Sequence, residues 1–397
     1  MTPEDPPVHP SPPSAHPRRE VAALFLRLGC IAFGGPAAHV AMMRREVVER
    51  RGWLSAQEFL DLFGAANLIP GPSSTELAIL LGYRRAGRTA LLLGGALFIL
   101  PAMLLVLAFA WAYVRFGGTP AAGRLLYGVK PVIIAIVTAA LWSLGRTAIK
   151  GPLFAALALA ALALFLAGLN PLPLLLGGGL LALALRGPRP CQQRLSGATR
   201  SFWPALPLAS AASLLGAGVA HAAGYSPLTL FLTFLKIGAV LYGSGYVLLA
   251  FLRDDFVTRL HWLSNQQLID AVAVGQFTPG PVFTTATFVG YLTGGFGGAL
   301  LATVAIFLPA FVYSPLIVQV LPLARRSPAV RTALDGVNAA ALGLMAAVTW
   351  QLGRAALVDL PAALLAALAL VVLLRLKLNS AWLVLGGAAA GLVLKAF

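Results

Sequence analysis

"NLIPGPSST", residues 67–75, and "QFTPGPVFTT", residues 276–285, set the same Pro-Gly-Pro triplet inside two apolar stretches. Proline has no backbone N–H and its ring clashes with the preceding turn, so no regular helix runs through either triplet. The apolar flanks suit a bilayer interior, where a freed carbonyl or amide finds no water. A chain that breaks a buried helix twice with the same three residues carries a duplicated structural demand.

An offset of 209 residues (280 minus 71) superposes much more than the triplets. Phe25-Leu-Arg-Leu-Gly29 falls on Phe234-Leu-Lys-Ile-Gly238, Trp53-Leu-Ser-Ala-Gln57 on Trp262-Leu-Ser-Asn-Gln266, and Asp61 on Asp270. After a slip of one residue, Gly82-Tyr83 meets Gly290-Tyr291 and Pro101 meets Pro309. About a third of positions 25–76 are identical at the fixed offset, so the two halves are homologous repeats.

Of the 397 residues, 59% are apolar and 11% charged, with a mean hydropathy of +0.86. The apolar blocks are continuous rather than alternating, which points to an all-α polytopic membrane protein and away from a β-barrel. Spans are expected near 22–43, 62–83, 89–113, 125–145, 152–168 and 172–186, then near 205–223. The second half repeats the pattern near 227–252, 268–291, 296–322, 332–352, 357–375 and 380–396. Twelve to thirteen spans follow, with an odd number of crossings between equivalent points, hence inverted repeats. The expected domains are a disordered Pro-rich cytoplasmic tail (1–19), a first repeat (20–200), a connecting span (201–226) and a second repeat (227–397).

The formal charge of +16 could suggest nucleic acid, but Lys and Arg are scattered between spans, as topology signals and lipid contacts are. With the amino terminus inside, Arg84, Arg85, Arg88, Arg253 and Arg259 fall inside, and the cluster Arg44, Arg45, Arg50 and Arg51 outside. Cys30 reads as a buried small hydrophobe and Cys191 as a free loop thiol, without metal-type spacing.

The stretch "FLRLGCIAFGGPAAHVAMMRREVVERRGWLSAQEFLDLFGAANLIPGPSSTELAILLGY" and its second-half partner resemble the chromate ion transporter family, over residues 20–397. The resemblance implies a fused pair of inverted domains in the bacterial inner membrane, export of chromate from the cytoplasm, and resistance to it. One departure stands out: Gly34-Gly-Pro36 is replaced by Gly243-Ser-Gly245, so the halves have unequal roles.

Around the breaks, Gly71 and Gly280 tolerate unusual dihedrals, and Pro72 and Pro281, following Pro70 and Pro279, suit the first position of a new helix. Such a helix directs its positive end and bare amides at an anion. Hydroxyls gather there, from Ser73, Ser74 and Thr75 in one half and Thr284 and Thr285 in the other. If the breaks meet near the midplane, two half-helix ends would cradle one oxyanion; a proline kink used only for packing is the competing reading. Arg27 and Lys236 are equivalent and lie in apolar segments, either facing the anion or snorkelling. Lys130, opposite Asn338 in the repeat, is a third anion contact or a span's edge. Asn67 and Gln276 could bond the freed carbonyls or the ligand. Glu76, whose counterpart is Thr285, is a candidate proton carrier or a locally paired acid. Asp61 and Asp270, after Ser55 and Ser264 as helix caps, read as parts of a connector at the membrane surface.

No Walker A, HExxH or GxSxG motif occurs, and neither metal nor cofactor is expected. A secondary transporter of chromate is the leading reading. Sulfate or another oxyanion on the same fold is the alternative, and an intramembrane enzyme a remote one. The sequence leaves a homodimer open.

Overall fold

The computed structural model describes residues 16–33, 35–186, 224–242, 245–376 and 380–395, and these form helices without strands. The first half contains α1 Pro17–Ile31, α2 Gly35–Arg44 (continued by π-helical turns Arg45–Arg50), α3 Ala56–Ala66 and α4 Ser73–Phe116. It closes with α5 Pro120–Ala148, α6 Pro152–Leu166 and α7 Pro171–Arg186. The second half repeats the order with α8 Pro227–Val240, α9 Leu248–Leu252 (continued by π-helical turns Arg253–Arg259), α10 Asn265–Phe277 and α11 Thr285–Arg326. Then come α12 Pro328–Ala356, α13 Leu360–Leu376 and α14 Ser380–Leu394.

Local chemistry sets these boundaries. Pro17, Pro120, Pro152, Pro227 and Pro328 open helices, where the missing N–H costs nothing. Ser55 and Ser264 cap α3 and α10 as the sequence predicts, each in a reciprocal capping box with Glu58 or Gln267. On the exposed surface, hydrogen bonds from the Ser55 amide and hydroxyl, with Arg84 beyond, hold the Glu58 carboxyl below its ordinary range. Among the described residues, four helical stretches are long and apolar enough to cross a membrane: Ser73–Phe116, Pro120–Ala148, Val282–Ile317 and Pro328–Ala356.

The segments before α4 and α11 behave differently. At 1.5 Å per residue, α1 is only about 22 Å long, short of a hydrocarbon core of about 30 Å. The chain then turns at Ala32–Phe33 and comes back. Arg85 pairs with Glu20 at 2.9 Å, and the guanidinium groups of Arg51 and Arg85 both lie over the Trp53 ring. Glu20, Trp53 and Arg85 therefore share one face, so α1–α2 and α3 with the first arm of α4 are two re-entrant hairpins. Their tips lie inside the protein. A sharp turn at Ala86–Gly87 then sends the second arm of α4 across. The second half does the same from the opposite face: Tyr225 stacks near Trp262 and its ring lies against Gly294, at the matching turn of α11.

The inversion is visible in α5 and α12, equivalent helices running antiparallel. Lys150 at the end of α5 pairs with Asp335 near the start of α12, whereas Tyr127 near the start of α5 bonds Asp359 just beyond the end of α12. The halves also interleave. α5 packs on α13 and α14 of the other half, and α12 on α6 and α7 of the first. Gly128 meets Gly387 and Gly391, and its counterpart Gly336 meets Gly178 and Ala182, so small residues let these swapped pairs approach closely.

Three expectations change. Stretches 22–43 and 227–252 are each divided by a break instead of running as continuous spans, and 62–83 and 268–291, broken as expected at Pro-Gly-Pro, turn back instead of crossing. The Arg50–Arg51 end of the arginine cluster joins Arg85 on the Trp53 face, while Arg259 lies beside Trp262 on the other, which sharpens the charge asymmetry. Cys30 is exposed rather than buried. Arg186 ends α7 on the Trp53 face and Gly224 begins on the Trp262 face; the span expected at 205–223, like Cys191, falls outside the described residues.

Re-entry makes a labelling prediction. In a protein lacking Cys30 and Cys191, Glu49→Cys and Arg88→Cys should react with an impermeant thiol reagent from the same side. Thr258→Cys, the counterpart of position 49, should react from the opposite side. Opposite-side labelling of positions 49 and 88 would mean a continuous span and end the hairpin description.

Candidate functional site

The two Pro-Gly-Pro tips are tied to the opposite half by matched backbone hydrogen bonds. The Gly71 amide donates to the Leu241 carbonyl at 2.7 Å, and the Gly280 amide to the Ala32 carbonyl at 2.9 Å. Leu241 and Ala32 are the C-caps of α8 and α1, and they are themselves equivalent at the repeat offset. Gly71 has φ +137 and Gly280 φ +89, so both tips need a conformation that a side chain disfavours. The carbonyl freed at Leu68 accepts from the Tyr242 hydroxyl at 2.7 Å, and His39 Nε2 adds a contact to Ala32 O at 3.0 Å.

A cavity of about 630 Å³ opens on the Trp53 face and ends at the first tip. Asn67, Gly71 and Ser73 form its floor, and Gly35–Ala37 with Tyr246 one wall. Ser143 and Thr147 of α5 face Asn338 and Asp335 of α12 across it, with the Lys150–Asp335 pair at the mouth. Pro72 is the N-cap and Ser73 the first residue of α4, one position later than predicted. With the Gly71 amide engaged, the first-turn donor at the cavity is the amide of Ser73, with the Ser74 amide next in the turn. The helix dipole puts partial positive charge at the same end.

The remaining predicted residues distribute unevenly. Ser74 and Thr75 are buried behind the tip, beside Pro70. None of Pro279, Gly280, Pro281, Thr284 and Thr285 lines the cavity. The Thr284 and Thr285 hydroxyls donate to Pro281 and Val282 carbonyls at 2.8 Å, and a Cβ on Gly280 would stand 2.8 Å from Ala102 Cβ. The tips thus occupy separate sockets and do not form a shared cradle. Gln276 is buried with its Oε1 accepting from Tyr246 at 3.3 Å.

The paired cations do not reach the cavity either. Arg27, Arg50 and Arg51 converge on Glu46, and Lys236 and Arg259 on Asp255 at 2.7 and 2.8 Å. Glu46 and Asp255 are equivalent, as are Arg50 and Arg259, so each hairpin carries the same ion cluster pinning its return to α1 or α8. The aligned acids at positions 46 and 255 are the sequence signal for this pairing. Lys130 pairs with Asp270 at 3.5 Å, and Asp270, expected at the surface, is 2% exposed.

Glu76 is the unusual group. Its carboxyl is fully buried, lies against Gly71, and has no hydrogen-bond partner among the described residues. The Thr75 and Ser314 hydroxyls are likewise buried without a bond. A carboxyl in such a place lacks the ion pairs that Glu46, Asp255 and Asp270 have, which sets Glu76 apart from the other buried acids. The residues that sequence reasoning missed are Tyr246, Ser143, Thr147 and Lys150. Ser143, Thr147 and Lys150 lie along and just past the end of α5, far in the chain from the first tip, and only Tyr246 left a trace, in the departure at 243–245.

The fold and site define a multi-pass helical membrane protein of two inverted, interleaved repeats, each with re-entrant broken hairpins. The chromate transporter family model matches residues 19–183 and 228–392, and the chain belongs to that family. It is 35% identical over 390 residues to the chromate transport protein of Cupriavidus metallidurans, covering 97% of this chain and 95% of that one. A probable chromate transport protein of Synechococcus elongatus is 33% identical, covering 97% of both chains. The chromate transport protein of Pseudomonas aeruginosa is 33% identical over 86% of this chain and 82% of its own. No solved structure matches.

The ion clusters predict unequal stability effects. Lys236→Gln leaves Asp255, at 1% side-chain exposure, with Arg259 alone. Thermal unfolding in detergent should show a loss of up to about 3–5 kcal/mol. Arg27→Gln leaves Glu46 with Arg50 and Arg51 and should cost about 1 kcal/mol or less. Equal effects would mean that the clusters do not work as described.

Proposed function

We propose that this protein is a secondary transporter that exports chromate from the cytoplasm across the bacterial inner membrane, and so confers resistance. The observation that carries it is the cavity ending on the first broken helix, in a chain of the chromate transporter family. The Trp53 face is richer in Arg and Lys and is therefore cytoplasmic. The cavity then presents an inward-open vestibule to its cargo.

A tetrahedral divalent oxyanion suits the floor. The Ser73 and Ser74 amides and the Ser73 hydroxyl would meet one set of oxygens, with the Asn67 and Asn338 amides meeting others. Ser143 adds a hydroxyl donor, while Tyr246 and Thr147, whose hydroxyls donate to Gln276 Oε1 and the Leu144 carbonyl, shape the wall. Neutral donors at a helix end hold an anion without trapping it, which a carrier that must release its cargo requires. In this reading Arg27, Lys236 and the second tip act on the architecture of the site. Glu76, one turn behind the floor, is the proton carrier that couples transport to the proton gradient. Sulfate shares the charge and shape of chromate, and a floor of neutral donors supports it as the second reading.

Everted membrane vesicles should accumulate labelled chromate, with excess sulfate as competitor to rank the two cargoes. Absence of uptake of either anion would overturn the proposal. Asn67→Ala removes one hydrogen bond to a charged group, worth about 1.5–3 kcal/mol. It should weaken apparent affinity by roughly ten- to a hundredfold at normal membrane abundance. Glu76→Gln should keep anion exchange but lose accumulation driven by a pH gradient; unchanged gradient-driven uptake would remove Glu76 from the coupling role.

A further inference from the structure

On the other face the residues equivalent to the cavity-lining Asn67, Ile69, Gly71 and Ser73, namely Gln276, Thr278, Gly280 and Val282, are all buried, so the counterpart of the cavity is shut. At the slipped offset of 208, Asn338 of α12, which lines the cavity, corresponds to Lys130 of α5. At the offset of 209, Asp61 of α3 corresponds to Asp270 of α10. On the Trp53 face the position is a neutral amide facing open space. On the Trp262 face Lys130 Nζ stands 3.5 Å from Asp270 Oδ1, and the Tyr113 hydroxyl donates to Asp270 Oδ2 at 2.9 Å. This cluster ties α5, α10 and α4 together where the symmetry-related vestibule would lie. Tyr246, in place of Ala37, completes the plug through its bond to Gln276.

Inverted repeats switch access when each half takes up the other's arrangement. In that exchanged state Lys130 acquires the surroundings that Asn338 has here: the wall of an open vestibule beside a helix tip. An ammonium drawn from its carboxylate into such a wall needs another anion. We propose that Lys130 is the anion contact of the outward-open state, and that Asp270 is its countercharge while the outer vestibule is closed. Carboxylate and cargo alternate as partners of one ammonium. At the matching position the inner site has the neutral Asn338, and its own cation, Lys150, stays paired with Asp335 at the mouth, so the two ends of the path bind the anion with different chemistry. This rests on the anion-transport reading above.

The test uses full-length protein in liposomes, lacking Cys30 and Cys191 and carrying Thr278→Cys. Position 278 is the counterpart of the cavity-lining Ile69. Asp270→Asn should speed labelling of this cysteine from the Trp262 face about tenfold, because the closure has lost its pair. The exchange Lys130→Asp with Asp270→Lys should restore slow labelling yet lower chromate exchange at least tenfold; Lys130→Arg should keep both. If the exchanged pair does not reach the membrane, Lys130→Gln with Asp270→Asn reads the same contact through chromate exchange. Unchanged labelling in Asp270→Asn, or exchange at the unsubstituted rate in either double variant, overturns the proposal. Failure of the unsubstituted protein to exchange any oxyanion overturns the transporter reading instead, and the labelling arm separates the two.

Discussion

Everything in this molecule depends on satisfying backbone groups that four broken helices leave bare inside a membrane protein. The solution is reciprocal: each Pro-Gly-Pro glycine donates its amide to the last carbonyl of the other half's first helix, Gly71 to Leu241 and Gly280 to Ala32. An unbonded amide or carbonyl costs several kcal/mol where no water reaches. Neither half closes its own account. The same demand explains the interleaving of α5 with α13–α14 and of α12 with α6–α7, since halves bonded through their tips must also pack through each other.

On this symmetric backbone the side chains are unequal. Glu76 stands opposite Thr285, Tyr242 opposite Phe33, Tyr246 opposite Ala37, and Lys130 opposite Asn338. The differences gather around the tips and vestibules. The first tip has a buried, unbonded acid behind it and open space before it; the second is packed against Ala102 and has its hydroxyls bonded within its own turn. The duplicated frame keeps the two halves alike in backbone, and the unequal residues make them unequal in chemistry.

The aligned cations show how far a sequence pattern carries. Arg27 and Lys236 recur at the repeat offset, which identified them as useful. What they are used for depended on the acids nineteen residues on, Glu46 and Asp255, which align equally well. Retention at both positions reflects a hairpin that needs its return strand fastened. The cavity is lined by other groups, from residues 63–73, α5 and α12 among them.

The sequence by itself determined the helical membrane class, the duplication, the two Pro-Gly-Pro breaks and the caps at Ser55 and Ser264. These follow from hydropathy, proline and short-range hydrogen bonding, all local in the chain. Only the tertiary structure decided that the chain returns to its starting face after each early break. It also decided that the tips sit in separate sockets, that Asp270 is buried against Lys130, and that the cavity belongs to the first tip. Those outcomes depend on which distant surfaces meet. A chain read one residue after another records what each segment must bury or bond, and not which partner from the other half will supply it.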